Sequence, residues 1–505
     1  MTTMDREALY RALKARDARF DGRIFIGVHT TGIYCRPICP ARTPKLENID
    51  FYPTAAAAQE AGFRPCLRCR PESSPDLAAW RGTSSTVARA LTLIGEGALD
   101  EDGADVDGLA LRLGIGERQL RRLFTQHLGA SPIAVAQTRR VLFAKQLIHE
   151  TRMPMTHIAD AAGFGSVRRF NATFRGLYGR PPSALRRLAA GDDPDRTAAA
   201  ITLKLSYARP YDWPAMIGFL AARAIAGVEV VDGDCYRRTI AIDGAHGTIA
   251  VMPIPDRDAL AATIRFPNVR ALPGIIARIR RVFDLAADVG AITRQLADDP
   301  VLAPLVNARP GLRVPGAWDG FELAVRAVLG QQITVTGARR LAGKLVAIHG
   351  EPVTPDVADP ANGLTHVFPS PTRFAGANLA ALGMPRARAT TLAALARSAA
   401  DDPRLFERAQ DLDGSIARLR ALPGIGEWTA QYIAMRALRE PDAFPAADIG
   451  LLRALAADGT RPTAAELASR AEAWRPWRAY AAQHLWTSDA AGRLGAVGAP
   501  EEAVA

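Results

Sequence analysis

The sequence runs to 505 residues with 48% hydrophobic content, enough for about three or four domains with real cores. Its 63 Lys and Arg against 52 Asp and Glu leave a net charge of +11, which points to a polyanionic partner, most simply nucleic acid. No apolar run reaches the about 18 residues of a membrane span, and the N-terminus, with Asp5, Arg6, Glu7, Arg11 and Lys14, lacks the apolar segment of a signal peptide.

The expected location is therefore the cytoplasm, nucleoid-associated in a bacterium, where cysteines more often bind metal or react than pair. Cys35, Cys39, Cys66 and Cys69 all lie near the start, and Cys235 stands alone as an expected structural residue. A short helix is predicted over 5–20, then a strand-like alternation from Arg23 to His29. A C-x3-C and a C-x2-C, separated by a helical spacer at 54–61, can bring four sulfurs to one tetrahedral ion, and zinc is the default for four thiolates. Spacing alone also fits a purely structural zinc knuckle.

The motif wording goes further. Thr30-Thr31-Gly32-Ile33-Tyr34-Cys35-Arg36-Pro37-Ile38-Cys39, followed by Gly62-Phe63-Arg64-Pro65-Cys66-Leu67-Arg68-Cys69, closely resembles the N-terminal domain of the Ada proteins of the adaptive response to alkylation. The resemblance implies that Cys35 accepts a methyl group from a DNA methylphosphotriester, with Cys39, Cys66 and Cys69 completing the zinc site. Four zinc-bound thiolates carry a formal charge near −2, which makes the sulfur nucleophilic. Methylation would bring that charge to about −1, easing repulsion from DNA phosphates and tightening promoter binding.

Residues 71–84 read as a linker. Two helix-turn-helix patterns follow, at Val106–Gly114 with Glu117–Phe124 and at Met155–Phe164 with Ser166–Phe174, joined by a long helix near 132–150. Each has a glycine at the turn and arginines beside an aromatic stripe, which places Arg121, Arg122, Arg168 and Arg169 toward a major groove and its phosphates. The pair, ending in Gly179-Arg180-Pro181-Pro182-Ser183, resembles the AraC-type DNA-binding domain; RNA polymerase is a candidate further partner beside double-stranded DNA.

The polar run 189–198 reads as a second linker, which leaves open that the two halves act independently. Alternating segments at Ile201–Ser206, Val228–Val231, Tyr236–Ile242 and Thr248–Val251, with a helix near 213–224, predict a small α+β module to about 285. Its Tyr211-Asp212-Trp213 and Phe219-Leu220 resemble the N-terminal domain of AlkA-type 3-methyladenine glycosylases, where the module is mainly architectural.

From 286 onward the chain reads as helical. An amphipathic helix from Trp318 ends at Gly330 and the pair Gln331-Gln332. Farther on, Leu422-Pro423-Gly424-Ile425-Gly426 enters a helix whose Trp428, Tyr432 and Met435 recur at half-buried spacing, and Asp448 follows. The glycines allow close backbone approach and the helix-opening N–H groups suit a phosphate oxygen. Together these stretches resemble the AlkA branch of the helix-hairpin-helix glycosylases over roughly 201–495. The resemblance puts the catalytic carboxylate on Asp448, the base pocket on Trp428, Tyr432 and Trp486, the phosphate grip on Gly424 and Gly426, and the residue that fills the gap left by a flipped base in the Gln331–Gln332 turn. Trp474 and Trp477 read as packing residues near that pocket. An unpaired Asp448 in an apolar cleft would stabilise the oxocarbenium-like transition state and orient water. Electron-rich aromatic faces would select a cationic alkylated base.

Trp428 stands where lyase members of the superfamily carry a Schiff-base lysine, so strand cleavage is not expected. No cysteine follows Cys235, which excludes an iron–sulfur loop; no cofactor is expected at the base pocket. Pro445-Ala446-Ala447 lacks a second carboxylate found in some relatives, and no Pro-Cys-His-Arg motif for O6-alkylguanine reversal occurs. The expected fold is multidomain and mainly α with α+β modules: 1–75 zinc methyl-acceptor, 84–188 double helix-turn-helix, 200–285 α+β module, 286–495 helix-hairpin-helix domain. The reading is a fused alkylation-repair and adaptive-response protein that hydrolyses N-glycosidic bonds of 3-methyladenine- and 7-methylguanine-type bases. The rivals are a regulator with an inactive glycosylase-like tail, and a repair enzyme tethered nonspecifically to DNA.

Overall fold

The computed structural model describes residues 6–75, 85–100, 104–186, 200–354, 357, 363–377, 379–409, 411–456 and 460–497. Most of the first expected linker and all of the second lie outside these residues.

The N-terminal unit opens with α1 (Arg6–Lys14), shorter than expected, and builds a four-stranded sheet in the order β3-β1-β2-β4 from β1 (Phe25–Val28), β2 (Ile33–Cys35), β3 (Ile49–Tyr52) and β4 (Arg64–Pro65). Between β3 and β4, α2 (Ala55–Glu60) is capped by the Thr54 hydroxyl. Strand alternation in β2 buries Tyr34 completely and turns Cys35 to the half-exposed face.

Helix α3 (Ser85–Gly95) leads into two helix-turn-helix units, α4 (Val106–Leu113) with α5 (Glu117–Leu128) and α7 (Met155–Ala161) with α8 (Val167–Tyr178), joined by the 19-residue α6 (Pro132–Glu150). Gly114 and Gly163 both stand at φ 76°, a left-handed conformation that sharp turns of this kind require. In α5 Leu120, Phe124 and Leu128 are buried, and in α8 Phe170, Phe174 and Tyr178, each at i, i+4, i+8. Opposite those stripes Arg121, Arg122, Arg168 and Arg169 are exposed, as expected.

The third unit is a five-stranded antiparallel sheet, β5-β9-β8-β7-β6, from β5 (Ile201–Ser206), β6 (Glu229–Asp232), β7 (Cys235–Ile242), β8 (Ala245–Pro253) and β9 (Ala259–Arg265). Helix α9 (Trp213–Arg223) follows β5, and α10 (Leu272–Val282) leaves the sheet. Cys235 is buried and unpaired in β7. The remainder is helical: α11 (Val289–Leu296), α12 (Leu302–Ala308), α13 (Gly320–Leu329), α14 (Val335–His349), α15 (Pro371–Ala375), α16 (Arg386–Asp401), α17 (Leu412–Arg420), α18 (Glu427–Arg436), α19 (Ile449–Ala454), α20 (Ala464–Ala471) and α21 (Arg478–Val497).

The two halves pack directly against each other. One apolar core runs from Ala144 of α6 and Ile158, Phe170 and Phe174 of the second helix-turn-helix unit to Leu203, Tyr236, Ile264 and Phe283 beyond the second linker. Polar contacts add to it. Gln146 Nε2 donates to the Lys204 carbonyl at 2.9 Å, Arg270 pairs with Asp160 at 2.6 Å, and Arg112 pairs with Glu407 at 2.7 Å. The sheet is in turn tied to α13 by buried ions: Arg238 of β7 meets Glu322 at 2.7 Å, and Arg326, which pairs with Glu322 within α13 at 2.6 Å, reaches Glu229 of β6. Burial pushes the Glu322 carboxyl up, but the two guanidiniums more than offset this and hold it at about 2.

Candidate functional site

Two sites emerge. In the first, the Sγ atoms of Cys35, Cys39, Cys66 and Cys69 lie within 4.8 Å of one another. Arg36 holds the two cysteine turns together: its backbone N–H donates to Cys69 Sγ at 3.3 Å, its guanidinium to the Cys69 carbonyl at 3.1 Å and to the buried Asp21 at 2.8 Å. Cys66 Sγ accepts from the Arg68 N–H at 3.3 Å, and Cys39 faces the Ala41 N–H. No backbone N–H is recorded on Cys35 Sγ among the described residues, and Cys35 is the one cysteine of the four that is not buried. An all-sulfur donor set, three buried and gathered to one point, fits zinc.

The second site is an open cavity of about 1220 Å³ between the sheet unit and the C-terminal helices. Gly424, at φ 79°, turns the chain into α18, whose N-cap Gly426 offers no side chain to the helix-opening N–H groups. Those groups remain available to an anion. Trp428 and Tyr432, one turn apart on α18, stack with centroids 5.4 Å apart and planes 12° from parallel. Trp486, from α21, meets Tyr432 edge-on at 6.4 Å.

Asp448 is where the expectation needs correcting, because its carboxylate is not unpaired. It caps α19, with Oδ1 accepting from the Gly450 N–H at 2.8 Å and the Leu451 N–H at 3.2 Å. The indoles close on it from both sides: Trp486 Nε1 donates to Oδ1 at 2.8 Å and Trp428 Nε1 to Oδ2 at 2.7 Å. The sequence showed the aromatics as walls but gave no sign of these donors, which depend on α18, α19 and α21 converging. Oδ1 is thereby saturated by three donors, while Oδ2 accepts one among the described residues, and Asp448 lines the cavity.

The aromatic faces are also shared. Arg436, only 2% exposed, lies 4.4 Å from the Phe219 ring, 5.1 Å from Tyr432 and 5.5 Å from Trp486. Burial lowers its guanidinium to about 10. Burial raises the Tyr432 phenol, but Arg436 and Arg223 more than offset that and leave it below its ordinary value. A protein cation therefore already meets the Tyr432 and Trp486 rings, while no such contact involves Trp428 among the described residues. Phe219 and Arg223, which line the cavity from α9, went unrecognised as site residues in a module read as architectural. Their signal was the helix near 213–224, but its docking on the pocket is tertiary information.

The Gln331–Gln332 turn divides into two roles. Gln331 Nε2 reaches the Gly424 carbonyl at 3.2 Å and Thr429 Oγ1 at 3.1 Å, so this side chain is committed to bracing the hairpin. Gln332 stands exposed at φ 58° at the tip, beside the exposed Ile333. Trp474 is buried, donates to Asp299 at 2.9 Å and packs edge-on against Phe444, and Trp477 packs edge-on against Tyr480, in line with packing roles.

A four-sulfur metal centre, paired helix-turn-helix units and a hairpin-flanked aromatic cavity with a carboxylate define a metal-binding, DNA-binding chain with a glycosylase-type domain. Family comparison matches the metal binding domain of Ada over residues 8–72, a helix-turn-helix domain over 109–188 and the AlkA N-terminal domain over 202–319. The sequence is 44% identical over 486 residues to a probable bifunctional transcriptional activator/DNA repair enzyme AlkA of Mycobacterium tuberculosis (strain ATCC 25618 / H37Rv), covering 96% of both chains. It is 34% identical over 290 residues to DNA-3-methyladenine glycosylase 2 of Escherichia coli (strain K12), covering 56% of this chain and 96% of that one. A 3-methyladenine DNA-glycosylase from Archaeoglobus fulgidus shares the fold over 57% of this chain and 98% of its own, at TM-score 0.50 and 24% identity. The chain belongs to the family of the bifunctional transcriptional activator/DNA repair enzyme AlkA.

Proposed function

We propose that the protein repairs alkylated DNA and regulates the response to it. Its C-terminal half is a monofunctional glycosylase for 3-methyladenine- and 7-methylguanine-type bases, and its N-terminal half takes a methyl group from a DNA methylphosphotriester and binds promoter DNA. The observation that carries the repair reading is Asp448, held by two indole N–H groups and a helix N-terminus at the aromatic cavity.

The chemistry follows from that geometry. Three donors fix Oδ1, so the carboxylate cannot rotate, and Oδ2 presents its remaining lone pair where the sugar of a flipped nucleotide would sit. As the C1′–N bond breaks, electrons leave with the base, which is already cationic and needs no general acid. Negative charge at Oδ2 stabilises the developing oxocarbenium, and Oδ2 then accepts the proton of the water that adds to C1′. Trp428 offers an indole where a lyase needs an amine, so the strand stays intact. Gly424, Gly426 and the N–H groups of α18 grip a phosphate, and Gln332 fills the gap in the duplex while Gln331 braces the turn.

At the first site, zinc keeps the sulfurs as thiolates at neutral pH when bound. Cys35, the one of the four that is not buried, attacks the methyl carbon; an S–C bond forms, the C–O bond breaks, and a phosphodiester anion leaves. Arg121, Arg122, Arg168 and Arg169 read and grip promoter DNA. RNA polymerase as a further partner and a nucleoid-associated, cytoplasmic location belong to the same proposal; no described helix is long and apolar enough to cross a membrane. The test exposes the full chain to DNA carrying both lesions. Free base without strand cleavage, together with a methyl adduct on Cys35, is the expected result. Strand cleavage, or an adduct on another cysteine, would overturn the corresponding assignment.

A further inference from the structure

Behind the sulfur cluster lies a buried polar node that the reactions above do not use. Lys145 sits in α6, the helix joining the two helix-turn-helix units, and its side chain is fully buried. Its Nζ donates to the Cys66 carbonyl at 2.9 Å and to Glu72 Oε2 at 2.7 Å, where the Glu72 side chain is 1% exposed. Arg70, in the left-handed region at φ 52°, continues the chain of contacts, to Glu72 at 3.1 Å and to Glu150 at 3.1 Å. Glu150 is the last residue of α6. The helix thus grips the second cysteine turn at two places, through Cys66 and through Arg70, which flank Cys69.

Burying an ammonium and a carboxylate is costly before their attraction returns it, and an apolar pair of equal volume would hold two domains together as well. The ammonium does something an apolar group cannot: it fixes the orientation of the Cys66 peptide, whose Cα carries a sulfur of the cluster. The second helix-turn-helix unit closes over the same place. Tyr178, the last residue of α8, lies within electrostatic reach of Glu72 and Cys66, and Tyr34, which precedes Cys35, within reach of Tyr178, Glu72 and Cys69; both are buried, with hydroxyls that have no hydrogen-bond partner among the described residues. The environment of the sulfur cluster is therefore built partly from the DNA-binding unit.

We propose that Lys145 is a positioning residue of the methyl acceptor, contributed by the DNA-binding unit: it fixes the Cys66–Cys69 turn and, through the shared sulfur cluster, the presentation of Cys35. The inference rests on the acceptor reading of Cys35. It makes α6 part of the sensor, so a change at the cluster reaches the helix-turn-helix units by direct contact as well as through the field felt by DNA phosphates.

The test uses full-length wild type, Lys145→Met, Lys145→Arg and the double variant Lys145→Met/Glu72→Gln, each loaded with zinc. Three quantities are measured: the rate of adduct formation at Cys35 by mass spectrometry, the rate of zinc loss to a competing chelator, and base release from alkylated DNA as a control for folding. Lys145→Met is expected to slow methyl uptake and speed zinc loss, each by roughly tenfold, with base release unchanged. Lys145→Arg restores most of the uptake. Lys145→Met leaves the buried Glu72 carboxylate with Arg70 as its cation, and the double variant removes that charge as well, so slow uptake in both reports the lost grip on Cys66 rather than an imbalance of buried charge. Wild-type uptake and zinc retention in the double variant would overturn the proposal while leaving Cys35 as acceptor. A wild type that forms no adduct would remove the acceptor reading and this inference with it.

Discussion

Gly424→Ala tests whether the hairpin is as tightly built as its geometry requires. At φ 79°, a Cβ on residue 424 would lie 2.0 Å from Thr391 Oγ1, 2.8 Å from its Cγ2 and 2.9 Å from its Cβ. Forcing an L-residue into the left-handed region costs about 1–2 kcal/mol. Overpacking adds about 1–3 kcal/mol, because Thr391 is β-branched, buried in α16 and unable to change rotamer freely. The total of roughly 2–5 kcal/mol corresponds to a fall in Tm of about 5–15 °C for a domain of this size. Function suffers separately, since the displaced turn pulls the Gly424 carbonyl from Gln331 and misaims the N–H groups of α18. Thermal unfolding and binding to an abasic-site duplex measure the two effects. Adding Thr391→Ala removes Oγ1 and Cγ2 but keeps Cβ, so it should return part of the contact cost and none of the backbone cost. A Gly424→Ala protein with wild-type Tm and DNA affinity would refute the reasoning, as would a double variant no more stable than the single one.

Other consequences are simpler to state. Gln332→Ala should weaken damaged-duplex binding by about tenfold, or about 1.4 kcal/mol, with Tm unchanged, whereas Gln331→Ala should lower both; a reversed pattern would reassign the two glutamines. His484 is buried, and burial lowers its pKa to about 4 from 6.5. Above pH 6.5 both folded and unfolded chains hold it neutral; as pH falls toward 4 only the unfolded chain gains the proton, so stability drops by about 3 kcal/mol across that window. His484→Gln should flatten that part of the denaturation-versus-pH curve, and an unchanged slope would contradict it. Stripping the metal with a chelator should abolish methyl uptake at Cys35 and spare base release; loss of base release would show that the halves share more than a core.

Periodic and turn-bearing segments were legible in the sequence: α6 falls at 132–150 as expected, and both helix-turn-helix glycines adopt the left-handed turn. Strand β9, Ala259–Arg265, escaped notice because its Ala-rich wording carries little β signal, and its pairing with both β5 and β8 supplies the stability instead. At the candidate site, residue identities were readable but their bonds were not. The indole N–H groups on Asp448, the guanidinium of Arg436 under three aromatic rings, and Phe219 and Arg223 on the cavity wall all arise between elements distant in sequence. The same holds for Lys145 against Cys66, separated by 79 positions. The polar run at 189–198 is a composition break in the sequence, and composition says nothing of the apolar core that the flanking segments share.

Single-turnover release of 3-methyladenine by wild type and Asp448→Asn measures the central claim most directly. The amide keeps one acceptor oxygen for the α19 cap and Trp486, but turns an N–H donor toward Trp428 and removes the charge that meets the sugar. The rate should fall by about a thousandfold with damaged-DNA affinity little changed. Equal rates in the two proteins would contradict it.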